Sequence, residues 1–193
     1  MILKENRLTK VRAEVENIHK EALQSQRVVE YRNRMLDLLD HAGEEALNRN
    51  HPQAHFTASA FIFSPRGEVL ALFHRKLKRW LQPGGHIESD DQSALNAALR
   101  EATEESALVN LQLITKVPID LDIHLIPARL NEPEHEHFDI RFAFMTHTPH
   151  RAQLSQESSG LEWLSDESLS QWMSENESIR RPVSLVQSLL TQG

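Results

Sequence analysis

Between Pro83 and Leu108 the chain reads PGGHIESDDQSALNAALREATEESAL, and this run confines the fold more than any other. Two glycines behind a proline read as a turn in which the backbone, having no Cβ, can approach a ligand or offer a carbonyl to a metal. The run Trp80-Leu81-Gln82 before it reads as a strand, and the residues after it as a helix. Each helical residue advances about 100°, so Glu101, Glu104 and Glu105, at i, i+3 and i+4, project from one face. Leu95, Leu99 and Ala102 fall on a second face, which is expected to be buried. Ala94 and Ala97 are small enough to leave room on the acidic side.

Three carboxylates on one face repel each other by up to ~4 kcal/mol per close pair at an effective dielectric of about 20. They require water or a cation. Oxygen-only ligands suit Mg²⁺ or Mn²⁺, and Mg²⁺ usually combines one or two carboxylates with waters and substrate phosphates. An isolated REATEES would more often be a solvated helix face; the glycine pair ahead of it tips the reading towards metal-assisted phosphate chemistry.

The segment resembles the Nudix box, which runs glycine, five residues, glutamate, seven residues, then R-E-U-x-E-E-x-G-U with U apolar. Gly85, Arg100-Glu101-Ala102-Thr103-Glu104-Glu105 and Leu108 match it. Asp91 stands where the first glutamate belongs, with Gln92 the other residue for that place. Eight residues rather than seven separate Asp91 from Arg100, and Ala107 replaces the terminal glycine. The likeness runs from about Ala54 to Ser170. It is closest to a bacterial subgroup carrying segments like HFTASAF, HRKLKRWLQPGGH and DIHLIPARLNEPEHEHFDIRF.

The resemblance implies an α/β/α sandwich with a mixed sheet. It implies that Arg100 orients Glu101, and that Glu101, Glu104, Glu105 and the Gly85 carbonyl hold Mg²⁺ or Mn²⁺ against a diphosphate. Asp91 is the further box acid. The general base would be Glu104 or Glu105, or Glu157 on a later loop.

Around this segment the pattern is α+β. Val11, Val15, Ile18 and Ala22, then Tyr31, Met35, Leu38, Leu39 and Ala42, recur at helical spacing and predict two amphipathic helices or one long bent helix. Residues 1–50 therefore form an N-terminal extension, packed on the domain or serving a homodimer, and residues 51–193 form the Nudix-like domain. Thr57 to Phe63 and Val69 to His74 read as a hairpin about Ser64-Pro65-Arg66-Gly67. Ile119 to Ile126, Phe138 to Thr146 and Leu161 to Leu164 read as further strands. Two helices close the chain, one near Asp166 to Met173 and one opened by Pro182 in its first turn.

The 193 residues contain no cysteine, which removes disulfides and thiolate metal sites. No apolar run is long enough to span a bilayer, and the N-terminus lacks a signal-peptide core, so a cytoplasmic protein is expected. A formal net charge of −7 disfavours an extended nucleic-acid surface and leaves small nucleotides or other diphosphates as partners.

Outside the box, His124, His135, Glu136, His137, Asp139 and Arg141 are dense in ligand-type side chains. Zinc is conceivable, but the spacing is not a helical H-E-x-x-H. A polar wall of a substrate pocket using His135, His137 and Arg141, or plain hydrogen bonding between loop and strand, is preferred. Lys76, Trp80, Gln82 and His86 flank the glycines and are the remaining candidate substrate contacts, with Trp80 either stacking on a base or buried in a core. The leading expectation is a metal-dependent pyrophosphohydrolase acting on a nucleoside diphosphate linked to another moiety. The alternatives are a non-catalytic nucleotide sensor on the same fold and, more remotely, a hydrolase built on the His124 to His137 cluster.

Overall fold

The computed structural model describes residues 6–128, 133–156 and 158–192. Its centre is β1 (Ala54–Phe63), a strand buried along its whole length. Burial on both faces makes it the middle of an eight-stranded mixed sheet. β1 runs parallel to β7 (His135–Met145) and antiparallel to β2 (Val69–His74) and β4 (Gly84–His86). β3 (Arg79–Leu81) and β8 (Ser158–Leu164) extend the sheet beside β2, while β5 (Gln112–Leu113) and β6 (Asp120–Ile126) pair with β7.

The period-two alternation of β1 divides the interior. Phe56, Ala58, Ala60 and Ile62 join one cluster with Phe138, Ile140, Phe142 and Phe144 of β7. That cluster is covered by α1 (Arg7–Glu16), α2 (Gln26–Ala42) and α3 (Ala94–Ser106). Phe61, Phe63 and Ala143 join a second cluster under α4 (Asp166–Glu175) and α5 (Glu177–Thr191). The fold is thus an α+β sandwich of helices, mixed sheet and helices. Val11, Val15, Val28, Met35 and Leu39 of the first two helices are all at most 2% exposed, so their apolar faces lie inside this chain's own core.

Three expectations change. Gly84 and Gly85 lie within β4 rather than in a turn, and neither has positive φ. The core face of α3 is lined by Ala94, Ala97, Ala98 and Ala102, whereas Leu99 is 37% exposed. Small residues let the helix sit close to the sheet at the glycine strand, and bulky Leu99 is turned out. Finally, α5 starts at Glu177 and Pro182 lies in its interior. Proline lacks the N–H that would bond the Ser178 carbonyl one turn back, and that carbonyl instead accepts from Arg141 NH1 at 2.7 Å.

Candidate active site and a neighbouring histidine cluster

The acidic site is assembled by one strand and one helix. Ser93 caps α3, its hydroxyl accepting the Asn96 N–H at 3.2 Å. Glu14 of α1 accepts the Ala94 and Leu95 N–H groups at 2.9 and 3.1 Å. The N-terminal extension thereby supplies partners for the otherwise orphan first turn of the acidic helix. Burial raises the Glu14 pKa, and the two backbone N–H groups work against that rise. At the other end Ala107 takes the left-handed conformation, φ 56°, and its N–H donates to Thr103 O at 2.8 Å. This is the conformation for which glycine would be the usual choice.

Arg100 organises the acids. Its NH2 donates to Asp91 Oδ2 at 2.9 Å and to the His86 carbonyl at 2.9 Å, and its NH1 donates to Glu101 at 2.8 Å and Glu104 at 3.2 Å. Burial disfavours the guanidinium charge, but hydrogen bonds to Asp91 and Glu101 outweigh it and raise the pKa. Asp91 is itself 6% exposed and accepts the Glu88 N–H at 2.9 Å. The extra residue between Asp91 and Arg100 is absorbed ahead of the helix, because the side chains still meet.

Gly84 and Gly85 are required by space. A Cβ on Gly85 would stand 2.4 Å from Glu101 Oε1, and one on Gly84 would stand 2.5 Å from Ser59 Oγ and 2.9 Å from the Ala58 carbonyl. The Gly84 N–H donates to Glu105 Oε2 at 2.9 Å. Glu101 and Glu105 thus sit against the glycine strand, and Glu104, joined to them through Arg100, is the most open of the Arg100 partners at 58%.

His86 faces the other side of β4 and enters a second constellation. Its Nε2 lies 3.1 Å from His55 Nε2, and His135 Nε2 lies 3.3 Å from His137 Nε2. His55, His135 and His137 bring ligand atoms within 4.8 Å of one another. The register explains this: β1 pairs His55 with His137, and β6 pairs His124 with His137. Burial, followed by neighbouring charge, lowers the pKa of His55 and of His86 to about 4 and lowers His137 further. These three imidazoles are neutral at pH 7.

The next rows of the same sheet face carry buried charge. Arg141, 2% exposed, contacts Asp139 at 2.8 Å, Asp122 at 3.0 Å and Asp120 at 3.2 Å. Arg181 of α5 adds contacts to Asp120 and Asp122 at 3.1 and 3.0 Å. Burial raises the Asp120 pKa to about 6, while the arginines and His124 hold Asp122 well below the usual range despite its burial. Arg141 is therefore enclosed in a network that ties α5 to β6 and β7, with its donors occupied by protein groups.

Of the residues singled out in the sequence, Gly85, Asp91, Arg100, Glu101, Glu104 and Glu105 come together, and His86, His135 and His137 form the second group. Gln82 donates to Ser59 at 3.3 Å and leaves Oε1 buried without a hydrogen-bond partner. Lys76 is exposed in the turn after β2. Trp80 packs edge-on to Phe73, with 5.3 Å between ring centroids, and its carbonyl accepts from Trp172 Nε1. Glu157 lies outside the described residues. A cavity of about 610 Å³ opens between residues 19–25 and α5, and none of the box acids lines it.

His55 and Glu14 belong to these two constellations and are not singled out by the sequence. The alternation His55, Thr57, Ser59 in HFTAS is a signal for one polar face, but only the parallel pairing with β7 brings the histidines together. Glu14 offers no sequence signal, since its bond to α3 spans about eighty positions.

A family model described as NUDIX domain matches residues 53–184. A protein of Lactococcus lactis subsp. cremoris MG1363, named Probable DHNTP pyrophosphohydrolase, is 29% identical over 110 residues. That match spans 56% of this chain and 64% of the relative. An Ap4A hydrolase structure from C. elegans aligns with TM-score 0.53 and 18% identity over 72% of this chain and 98% of its own. A NUDIX hydrolase structure from Listeria monocytogenes aligns with TM-score 0.51 and 22% identity over 69% and 94%. These two structural likenesses concern the fold.

Proposed function

Because the chain belongs to the NUDIX domain family, we propose that it is a divalent-metal-dependent pyrophosphohydrolase that cleaves the diphosphate linkage of a nucleoside diphosphate joined to a second moiety. The observation that carries the reading is the Arg100 fork, which holds Asp91, Glu101 and Glu104 around the glycine strand despite the altered box spacing. An oxygen-only donor set of Glu101, Glu104, Glu105 and the Gly85 carbonyl fits Mg²⁺ or Mn²⁺, and the close fit of Gly85 against Glu101 is a cradle that a Cβ would fill.

A divalent cation bound there supplies positive charge for the phosphate oxygens and lowers the pKa of bound water. The protein's own groups set up the rest. Arg100 fixes Glu101 and Glu104 through its fork, and Gly84 N–H fixes Glu105. Glu104, the more exposed, is our candidate to take a proton from the attacking water. Gln82 Oε1 is a buried acceptor without a partner on the Ser59 side of the sheet. A module that only binds nucleotide has no need of the complete carboxylate set, which favours the enzyme over a non-catalytic sensor.

The test is incubation with nucleotide sugars, ADP-ribose, dinucleoside polyphosphates, nucleoside triphosphates and dihydroneopterin triphosphate, with and without Mg²⁺ or Mn²⁺, followed by product identification. Glu104→Gln and Glu105→Gln are each expected to reduce turnover of the best substrate by roughly 100-fold or more, as loss of a group acting on transition-state charge does. Unchanged turnover in both variants would sink the proposed site. Tight binding of one compound with no turnover would favour the sensor.

A further inference from the structure

We propose that His55, His135 and His137, with His86 as fourth donor, form a separate binding site for one borderline transition-metal ion of the Zn²⁺ class, on the sheet face opposite the box carboxylates. This site goes beyond the hydrolase reading and does not rest on it. The geometry is the first argument. In a tetrahedral zinc site with Zn–N distances of about 2.0–2.1 Å, neighbouring nitrogens stand roughly 3.3 Å apart. Two edges of the cluster already have that length, His135 to His137 at 3.3 Å and His55 to His86 at 3.1 Å. The three-histidine set needs its remaining separations, at most 4.8 Å, to contract by rotation of the rings.

Orientation is the second argument. His135 Nδ1 sits 2.9 Å from the Pro133 carbonyl and so carries the ring hydrogen, leaving a lone pair on Nε2, the atom that faces His137. A histidine whose outer nitrogen donates to a carbonyl is the usual arrangement of a metal ligand. Beside the set, His124 is held in the same way by Asp122 at 3.2 Å.

Ligand chemistry is the third. An all-imidazole set prefers Zn²⁺, Ni²⁺, Co²⁺ or Cu²⁺ to Mg²⁺, whereas the box offers only oxygen. The imidazole set thus suits an ion that the oxygen-only box does not call for. Arg49 and Arg100 are the cations in reach and oppose a dication; several imidazole donors offset them. An ion held here would clamp β4, immediately after Gly85, to β1 and β7.

Full-length protein stripped with EDTA and titrated with Zn²⁺ against a chromogenic chelator is expected to take up one equivalent. Co²⁺ in its place is expected to show the visible absorption of a nitrogen-ligated ion of low coordination number. His135→Ala combined with His137→Ala is expected to weaken uptake by at least about 100-fold, the scale reached even by losing groups behind the ligands. Should that double variant fail to fold, His135→Ala alone, at the outer edge of the cluster, carries the same expectation. Glu104→Gln and Glu105→Gln are expected to leave uptake unchanged, which keeps the outcome separate from that of the hydrolase assay. No saturable uptake by the unaltered protein overturns the proposal, as does retention of the ion in the histidine variants or its loss in the glutamate variants.

Discussion

Ala107 shows how one residue can match a family pattern in conformation while departing from it in chemistry. Its φ of 56° puts a Cβ where the left-handed region is crowded, at a penalty of roughly 1–2 kcal/mol for a residue other than glycine. Ala107→Gly removes the clash and adds unfolded-state entropy, which offsets part of the gain. The expected net is a stabilisation of about 0.5–1 kcal/mol, read as a higher urea midpoint with unchanged slope; a lower midpoint would contradict the strain argument. The position is legible in the sequence because the box pattern calls for glycine there. Asp91 is legible for the same reason, yet only its 2.9 Å contact with Arg100 shows that the insertion leaves the pair intact. His55 is not legible, because a side chain's neighbours across a parallel pair depend on a register set by distant segments.

Among the elements, α3 follows from periodicity and its acidic face is the expected one, but the identity of the buried face is not. Hydrophobicity alone favours burying Leu99; closeness to a glycine strand favours alanine, and closeness decides. The dependence of α3 on α1 is invisible in sequence and gives a two-variant test. Glu14→Ala leaves the Ala94 and Leu95 N–H groups without their protein acceptor and is expected to destabilise by about 1–2 kcal/mol, the scale of a lost helix cap. Glu14→Gln keeps an acceptor oxygen and removes a charge that burial already disfavours, so its expected loss is under about 1 kcal/mol. Urea unfolding of the two variants checks the order; equal losses for Gln and Ala would show that charge at the helix N-terminus, rather than hydrogen bonding, is what α1 contributes. The same logic explains Pro182, whose missing N–H reads in sequence as a helix start. Its freed carbonyl is an anchor for Arg141, a partner contributed by a strand thirty-seven positions away from Ser178.

For the molecule as a whole, the sheet face that carries the histidine row and the buried aspartates couples stability to pH, and its groups pull in opposite directions. His55 and His86 have folded pKa values of about 4 against an ordinary 6.5, and His137 is lowered as well. The unfolded chain therefore binds protons first, so their contribution is fully present above about pH 6.5 and is lost as pH falls towards 4. Asp122, held low by Arg141, His124 and Arg181, contributes in the same sense but only at more acid pH. Asp120, raised to about 6, and Glu14, also raised, do the reverse: they favour the fold in acid, and that contribution is lost as pH rises through their folded values. Each tenfold change in proton affinity is worth about 1.4 kcal/mol, so two histidines whose affinity falls more than a hundredfold outweigh one aspartate whose affinity rises about a hundredfold. Solvent around the outer end of the histidine row screens these charges and reduces the sum. The metal-free protein is expected to lose a few kcal/mol between about pH 6.5 and 4, most of it before the carboxylates of an ordinary surface titrate. Urea midpoints measured across that range give the slope, and His55→Gln, which removes one of the displaced imidazoles, is expected to flatten it. An unchanged slope in that variant would place the acid sensitivity elsewhere. Saturating Zn²⁺ gives the complementary result: an ion on the imidazoles competes with protons, raising stability most where the rings are neutral and steepening the loss on acidification.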